Sequence, residues 1–263
     1  MRKARSVLIT GASSGIGRAL ALAFAETGTR LALVGRNAER LAETAEAASV
    51  KGADVEQAIL DVRDRDAMRL WIEAADRAHP FDLVIANAGI TTGLAMDALA
   101  EEPDAVRAIL ATNLIGVLNT VEPLITPMCA RQHGQIAFIG SMAGLRGLPY
   151  SPAYCMTKAA VHAYAESLRG RLARHGVKVS LAIVGFVKTP LNDSITAIKP
   201  FEISDARAAG TIKAGLARGR AIIAFPWPLF AVAWLGRLMP ARLYDLIMGR
   251  IEANVPETNE RLS

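Results

Sequence analysis

Short apolar runs, rich in valine and isoleucine, alternate along the chain with longer stretches in which alanine and leucine recur at helical spacing. The runs that predict strands are SVLIT (6–10), RLALV (30–34), EQAIL (56–60), DLVIA (82–86), QIAFI (135–139), KVSLAIV (178–184) and AIIAF (221–225). Strands that are apolar throughout are typical of a parallel sheet covered by helices on both faces. Residues 38–48 and 104–124 are amphipathic and predict crossover helices. The pattern predicts an α/β fold with a doubly wound, Rossmann-type parallel sheet of about seven strands.

No linker divides the chain, so residues 1–263 are predicted to form a single domain. Residues 186–210 show little periodicity, and unpatterned segments of this length often cover binding sites. This segment is therefore predicted to be a substrate lid. Residues 226–263 form an apolar C-terminal extension.

Three roles are open for this extension. Its apolar part is interrupted by prolines and is shorter than the roughly 20 residues that a membrane span needs. It could wall a substrate pocket, form a subunit interface, or make a peripheral membrane contact in which Arg237, Arg242 and Arg250 face lipid phosphates. The first two roles are favoured, because amphipathic helices mostly face protein cores.

Composition narrows the partners and the compartment. A hydrophobic fraction of 52% and a charged fraction of 21% indicate an ordered globular protein. The net charge of +5 would suit a polyanion, but aromatic and basic residues do not interleave, so no nucleic-acid partner is predicted. Two cysteines make a disulfide framework improbable. The first apolar run ends at Gly11, too early for a secretory signal, so a cytoplasmic protein is predicted.

The histidines do not have the spacing of metal ligands, and no metal site is predicted. They are expected at the surface or at helix ends, and they are His79, His133, His162 and His175.

A glycine-rich turn, TGASSGIG (10–17), joins the first predicted strand to the first helix. Glycines allow a tight turn and a close approach of backbone to phosphate, and the helix N-terminus offers N–H donors. The spacing is not that of the common dinucleotide fingerprint, so an ordinary strand–turn–helix is the alternative. Its place after the first strand favours a dinucleotide site. The predicted cofactor contacts in this turn are Gly11, Ser13, Ser14, Gly15, Ile16 and Gly17.

The end of the second strand predicts the choice of cofactor. The run LALVG contains no carboxylate that could bind a ribose 2′-hydroxyl, and Arg36 follows it directly. A guanidinium pairs well with a phosphate group, so NADP(H) is predicted to be preferred over NAD(H). The alternative is that Arg36 is an exposed charge at the start of a helix.

In the stretch PAYCMTKAAV (152–161), Tyr154 and Lys158 are four residues apart and share one helix face. A free phenol has a pKa of about 10 and is a poor acid or base at neutral pH. A neighbouring ammonium, helped by an oxidised nicotinamide ring, should lower this pKa. The pair therefore predicts a proton donor and acceptor that works near neutral pH.

Four motifs in order give the chain a family resemblance. They are TGASSGIG, the NAG of residues 87–89, the serine of IGSMAG, and YCMTK, with Ser141 placed 13 residues before Tyr154 (154 − 141). Together they resemble the short-chain dehydrogenase/reductase family in its single-domain form, from Ser6 to about Thr189. The resemblance implies an NAD(P)-dependent oxidoreductase that acts on CH–OH or C=O groups.

The resemblance also assigns roles to catalytic residues. Tyr154 would exchange a proton with the substrate oxygen, and Ser141 would hold that oxygen. Lys158 would in addition bind the nicotinamide ribose. Asn113 would hold a water that joins Lys158 to solvent, although it could instead stabilise a helix bend.

Further cofactor contacts are implied in the same way. Asp61 and Val62 resemble the pair that contacts adenine, and Thr189 resembles the residue that contacts the carboxamide, with Val187 beside it. The residues of the turn beside the ribose are Asn87, Ala88 and Gly89. Asp61 could also cap the helix that follows it.

These observations predict an NADPH-dependent carbonyl reductase or alcohol dehydrogenase. The predicted pocket walls are residues 142–152, residues 186–210 and the segment around Trp227. Because these walls are mostly apolar, the substrate would be a hydrophobic ketone, aldehyde or secondary alcohol. The resemblance implies a homodimer or homotetramer. Two alternatives have no turnover: an NADP(H)-sensing regulatory protein and a membrane-associated scaffold. The combination of Ser141, Tyr154 and Lys158 argues against a sensor, which has no need of it.

Overall fold

The computed structural model describes residues 4–94, 98–193 and 195–248. The strands in these ranges are β1 (Ser6–Thr10), β2 (Arg30–Gly35), β3 (Asp54–Ile59), β4 (Leu83–Ala86), β5 (Gly134–Ser141), β6 (Val177–Val184), β7 (Val187–Lys188), β8 (Ile203–Ser204) and β9 (Ile222–Phe225). In the described ranges, seven of them form one parallel sheet in the order β3-β2-β1-β4-β5-β6-β9, and β7 pairs with β8. Each strand of the large sheet overlaps a predicted apolar run, so the predicted fold class is confirmed.

The helices connect the strands and cover the sheet. They are α1 (Gly15–Phe24), α2 (Ala38–Val50), α3 (Arg65–Ala78), α4 (Pro103–Leu110), α5 (Gly116–Ala130), α6 (Pro152–Leu172), α7 (Pro190–Asp193), α8 (Asp205–Ala217), α9 (Trp227–Gly236) and α10 (Ala241–Met248). A π-helical segment, Ala111–Ile115, joins α4 to α5. The predicted helix over 104–124 therefore continues to Ala130.

Two apolar clusters lie on opposite faces of the sheet. Successive side chains of a strand point to opposite faces. Val7 and Ile9 accordingly pack into the cluster with α1, α2 and α8, while Leu8 packs into the cluster with α3, α5 and α6. All three side chains are 0% exposed, which explains why the strand is apolar without alternation.

The strand order places the site. β1 pairs with β2 on one side and with β4 on the other, so the direction of strand order reverses between β1 and β4. In such sheets a crevice opens beyond the carboxyl ends of the strands at the reversal. Gly11 follows β1 and Asn87 follows β4, so both predicted cofactor motifs lie at this crevice.

The segment 186–210 is more regular than the sequence analysis expects. It contains β7, α7 and β8, and its last residues already belong to α8. α8 begins after Ser204, whose hydroxyl accepts a hydrogen bond from the backbone N–H of Arg207 (3.3 Å). The expectation of little periodicity is therefore wrong at the end of the segment, where a capping serine precedes an alanine-rich run. Its role as a lid stays a prediction.

The described part of the C-terminal extension consists of α9 and α10, and neither helix contains a fully buried residue. Their exposed large apolar residues are Trp227, Val232, Trp234, Leu235, Leu243, Leu246 and Ile247. Arg250, predicted to face lipid in the membrane alternative, lies outside the described residues.

One continuous helical stretch of described residues, Pro103–Ala130, is long and apolar enough to span a membrane by length and composition. Half of it is buried inside the structure, where α5 packs against α3 and β4. A helix of a protein core has the same composition, so this stretch is weak support for a membrane span.

Two Gly→Ala substitutions in helices should have opposite effects. A Cβ on Gly17 of α1 would lie 2.1 Å from the carbonyl oxygen of Gly11, whereas nothing lies within 4 Å of one on Gly170 of α6. We expect Gly17→Ala to lower the free energy of unfolding by about 2–4 kcal/mol, because neither backbone can yield. Gly170→Ala should raise it by about 0.5–1 kcal/mol through helix propensity. Urea denaturation measures both, and equal effects would contradict the close approach.

Candidate active site

The glycine-rich turn forms a cradle at the carboxyl end of β1. Gly11 and Gly15 have φ angles of 68° and 50°, which side chains other than glycine rarely adopt. The N-terminus of α1 follows directly, and Ser14 at its cap forms no side-chain hydrogen bond to the helix. Free backbone N–H groups and the positive end of the helix dipole therefore face the crevice, as a phosphate site requires.

A threonine joins the two cofactor motifs. The Thr10 hydroxyl accepts hydrogen bonds from the backbone N–H groups of Asn87 (3.2 Å) and Ala88 (3.3 Å). The Asn87 amide in turn donates to the carbonyl oxygens of Thr10 (3.0 Å) and Gly11 (3.4 Å). The NAG turn is thus fixed against the glycine-rich turn.

Ser141, Tyr154 and Lys158 converge where β5 ends against the first turns of α6. The Ser141 hydroxyl, which accepts a hydrogen bond from the backbone N–H of Ala143 (3.2 Å), lies near enough to the Tyr154 phenol to lower its pKa. The Lys158 ammonium lies 5.7 Å from the centre of the Tyr154 ring and donates to the carbonyl oxygen of Ile139 (3.1 Å). The structure therefore brings together the three residues that the motifs identify.

The electrostatics differ from the expectation that Lys158 acidifies Tyr154. Burial raises the pKa of Tyr154, and the hydrogen bond from Ser141 only partly opposes this. Lys158 is buried, and this burial lowers its own pKa to about 8. In the cofactor-free site the phenol is therefore a protonated group. The expected lowering of its pKa, which also involves an oxidised nicotinamide ring, stays a prediction.

Asn113 lies in the π-helical segment, and both polar atoms of its side-chain amide form hydrogen bonds to neighbouring groups. Its Oδ1 accepts from the backbone N–H of Ile90 (2.8 Å), and its Nδ2 donates to the carbonyl oxygen of Ile90 (2.9 Å) and to the Thr157 hydroxyl (3.3 Å). The side chain thus ties the loop after β4 to α6. The role of Asn113 in holding a water stays a prediction. Because its side-chain amide is already hydrogen-bonded, a backbone group of Asn113 would have to hold that water.

Arg36 lines the crevice at the end of β2. Its Nη1 lies 3.7 Å from Oδ2 of Asp61, which also accepts close hydrogen bonds from the Arg63 guanidinium. Burial alone would raise the pKa of Asp61, but these bonds and charges lower it overall. Asp61 does not line the cavity, and the cap of α3 is Asp64, so its alternative role as a helix cap is wrong.

Thr189 lines the crevice on the side of segment 186–210. It is 8% exposed, and its hydroxyl accepts from the backbone N–H of Asn192 (3.2 Å). A Cβ on Gly15 would lie 3.2 Å from its Cγ2. The start of the lid segment therefore lies directly against the glycine-rich turn.

A cavity of about 880 Å³ runs from the glycine-rich turn to the C-terminal extension. Of the predicted site residues, Gly17, Asp61 and Asn113 do not line it, and all others do. These others are Gly11, Ser13, Ser14, Gly15, Ile16, Arg36, Val62, Asn87, Ala88, Gly89, Ser141, Tyr154, Lys158, Val187 and Thr189.

The far wall of the cavity comes from the extension. α9 contributes Leu229, Val232 and Ala233, and α10 contributes Ile247 and Met248. These side chains are apolar, and no predicted site residue lies among them. The pocket-wall role that the sequence left open is thus the one that the geometry favours.

Two cavity-lining residues that the sequence analysis did not identify hold the extension in place. The Arg146 guanidinium donates to the carbonyl oxygens of Gly236 and Met239 (2.8 Å for the latter) and lies 3.9 Å from the centre of the Tyr244 ring. The Tyr244 hydroxyl donates to the carbonyl oxygen of Gly147 (2.9 Å). The loop that follows Ser141 is therefore fastened to the end of α9 and to α10.

One histidine contradicts the prediction of surface or helix-end positions. His162 is 7% exposed, and its Nε2 accepts a hydrogen bond from the backbone N–H of Ser141 (3.3 Å). His79 does lie at a helix end, and the His133 side chain is 57% exposed. Within the described ranges, no group of three or more histidine, cysteine or acidic residues could hold a metal ion.

The residues of the crevice fit a nicotinamide dinucleotide. A Cβ on Gly11 or Gly17 would collide with backbone at 2.8 Å or less. Glycine at both positions is therefore needed for the backbone to pack this closely around the cradle. A Cβ on Gly89 would lie 3.7 Å from Nζ of Lys158, so the NAG turn faces the reactive side of the site. Phosphate donors, a ribose-side turn and the Tyr154–Lys158 pair thus line a single cavity.

Comparison with known proteins agrees with this geometry. The family model for short chain dehydrogenases matches residues 5–199. An uncharacterized oxidoreductase of Myxococcus xanthus is 36% identical over 94% of this chain and 97% of its own length. A short chain dehydrogenase from Mycobacterium paratuberculosis, solved with bound NAD, superposes with a TM-score of 0.75 at 25% identity, over 86% of this chain and 98% of its own.

A short-chain dehydrogenase from Sphingobium yanoikuyae, solved with NADPH, has a TM-score of 0.78 at 22% identity over 94% of this chain and 96% of its own, which shows the fold alone. A phosphate cradle that opens onto a phenol and a buried ammonium defines an NAD(P)-dependent oxidoreductase. The chain belongs to the short-chain dehydrogenase/reductase family.

The burial of the Lys158 charge should lower the free energy of unfolding of the cofactor-free protein relative to a variant with an uncharged side chain at this position. Its pKa is about 8 in the folded state and 10.5 ordinarily, so folding disfavours the charged form. We expect Lys158→Met to raise the free energy of unfolding at pH 7 by about 2 kcal/mol.

The difference in the free energy of unfolding between Lys158→Met and wild type should shrink between pH 8 and pH 10. In this range the unfolded wild-type chain binds more protons than the folded one, so the stability of the wild type rises with pH. Urea denaturation of both proteins without cofactor at pH 7 and pH 9.5 measures it. A pH-independent difference would contradict the burial cost of the charge.

Proposed function

We propose that the protein is an NADPH-dependent carbonyl reductase or alcohol dehydrogenase that acts on a hydrophobic ketone, aldehyde or secondary alcohol. The observation that carries this proposal is the convergence of Ser141, Tyr154 and Lys158 on one cavity that also contains the glycine-rich turn. A bound nicotinamide would supply or accept the hydride.

The proposed proton transfer uses Tyr154. Burial keeps its phenol protonated, so it can donate a proton to the carbonyl oxygen during reduction. In the reverse direction the phenolate, and not the phenol, would take the proton from the alcohol. The Ser141 hydroxyl lies near enough to lower the pKa of the phenol, and it would hold the same substrate oxygen. The Lys158 ammonium would stabilise the negative charge that develops on the phenol, and it would bind the nicotinamide ribose.

The substrate proposal rests on the wall of the cavity. Beyond Ser141 most of the lining is apolar, although Arg146 and Tyr244 also belong to it. The apolar residues include Met142, Leu148, Leu229, Val232 and Ile247. Gly185 lets α9 approach closely, since a Cβ there would lie 2.8 Å from Cδ of Pro226. An apolar wall favours a substrate that is apolar beyond its carbonyl group. The apolar wall that α9 and α10 provide supports a pocket role for the extension over a membrane contact.

The cofactor proposal rests on Arg36. It follows β2 directly and lines the cavity beside Gly35, where a 2′-phosphate would lie. Asp61 stays ionised beside it but faces Arg63, so this carboxylate does not occupy the place of a ribose-binding acid. The remaining predicted cofactor contacts, including Val62, Val187 and Thr189, belong to the same proposal.

A cytoplasmic homodimer or homotetramer is the assembly that we propose. Large apolar side chains are exposed on the helical layer that carries α6, with Ile115 46% and Met156 49% exposed. Such residues suit an interface between subunits. The two alternatives without turnover, a sensor and a scaffold, do not explain why Ser141, Tyr154 and Lys158 lie together on one cavity.

Tyr154→Phe tests the proposed reaction. We expect kcat for NADPH oxidation with a panel of alkyl ketones and aldehydes to fall by about 100- to 10,000-fold, because the ring stays and the proton donor is lost. NADPH binding, measured by fluorescence titration, should stay within about threefold.

Tyr164→Phe is the matched control. Tyr164 lies on the same helix and packs edge-on against Phe138 at 5.8 Å between ring centres, outside the cavity. Its loss of a hydroxyl should leave the rate unchanged. Equal rates for wild type and Tyr154→Phe would refute Tyr154 as the proton donor.

Arg36→Ala tests the cofactor preference. Loss of a charge-assisted pair with the 2′-phosphate should weaken NADPH binding about 10- to 100-fold and change NADH binding little. Arg18→Ala removes the same charge from an exposed position on α1 and serves as the control. Similar losses for both cofactors in Arg36→Ala would contradict the preference for NADP(H).

A further inference from the structure

His162 is a buried titratable residue that the proposed reaction does not use. It follows Lys158 by four residues and Tyr154 by eight, so all three lie on one face of α6. Its imidazole is 7% exposed and lies beneath the end of β5. The backbone N–H of Ser141 can only donate, so Nε2 of His162 is the acceptor in their 3.3 Å hydrogen bond.

Two glycines make room for this imidazole. A Cβ on Gly140 would lie 2.4 Å from Nε2 of His162, and a Cβ on Gly144 would lie 2.8 Å from its Cε1. Contacts this short do not occur between real atoms, so any larger residue at either position would displace the ring. The absence of a side chain at Gly140 and Gly144, on either side of Ser141, therefore leaves the space that the His162 ring occupies.

The surroundings keep the imidazole neutral. Burial, together with the charges of Lys158 and Arg237, lowers the pKa of His162 to about 4. With its proton on Nδ1, the ring offers a lone pair on Nε2 at every pH at which the enzyme would work. It can thus hold the Ser141 backbone without adding a second cation beside Lys158.

We propose that His162 is a positioning residue that fixes Ser141 so that its hydroxyl reaches both Tyr154 and the substrate oxygen. This inference rests on the proposed function. Without the acceptor, the Ser141 amide loses its partner at the end of β5, where the hydroxyl must be aimed. A displaced hydroxyl would also stop lowering the pKa of Tyr154 through their hydrogen bond.

The test compares His162→Phe, which keeps a ring but removes the acceptor, with His162→Gln, whose amide oxygen can replace Nε2. We expect kcat of H162F to fall about 10- to 100-fold, because small misplacements of a reacting group have effects of this size. The basic limb of its pH–rate profile should move to higher pH. H162Q should recover most of both, and the Kd for NADPH should change little in either variant.

Val161→Ala is the matched control. Val161 is a buried neighbour on α6 that faces the core, so its truncation lowers stability without touching Ser141. It should keep the wild-type kcat and pH profile. If H162F is unfolded, Gly140→Ala replaces it, since the added methyl displaces the ring, and Gly170→Ala is then its control.

A second measurement does not need turnover. By NMR, the Ser141 amide should exchange with solvent faster in H162F than in wild type, H162Q or V161A. Wild-type kcat in H162F, equal impairment of H162Q and H162F, or unchanged Ser141 exchange would each overturn the inference. Absence of wild-type turnover with every carbonyl would instead refute the proposed function, and the exchange rates would still decide whether His162 holds Ser141.

Discussion

The packing of one face of α6 against the end of β5 is the constraint on which the site depends. That face carries Tyr154 and Lys158, and the ammonium reaches across to the carbonyl oxygen of Ile139 in β5. A strand buried on both faces and a helix that covers it are the rigid elements of this fold. Because the catalytic groups come from these two elements, their separation is set by the core and not by a loop.

Much of the fold could be predicted because its strands are buried on both faces. A strand such as Val7–Ile9, enclosed by two helical layers, must be apolar at every position, and this makes it visible as a run. Ser141, Tyr154 and Lys158 were predicted from ordered motifs, and the structure places all three on the lining of one cavity. The start of α8 was missed, although Ser204 provided a capping signal.

Other features depend on residues that are distant in sequence. The burial of His162 requires the space that Gly140 and Gly144 leave, and no periodicity in α6 indicates it. Arg146 meets the end of α9 across 90 residues of chain. The pKa of Tyr154 could not be predicted from its spacing to Lys158, because burial of the phenol raises it. The Lys158 ammonium lies against the ring and donates its hydrogen bond to the carbonyl oxygen of Ile139.

The buried ammonium of Lys158 has hydrogen-bonding capacity that the described residues leave unused. Among the described residues, only the carbonyl oxygen of Ile139 accepts a hydrogen bond from it, although an ammonium has three donors. A ligand that binds only the folded chain and offers further oxygens to this group stabilises the fold in proportion to the logarithm of its concentration. Removal of a nicotinamide cofactor that makes such contacts would therefore lower the free energy of unfolding of this chain.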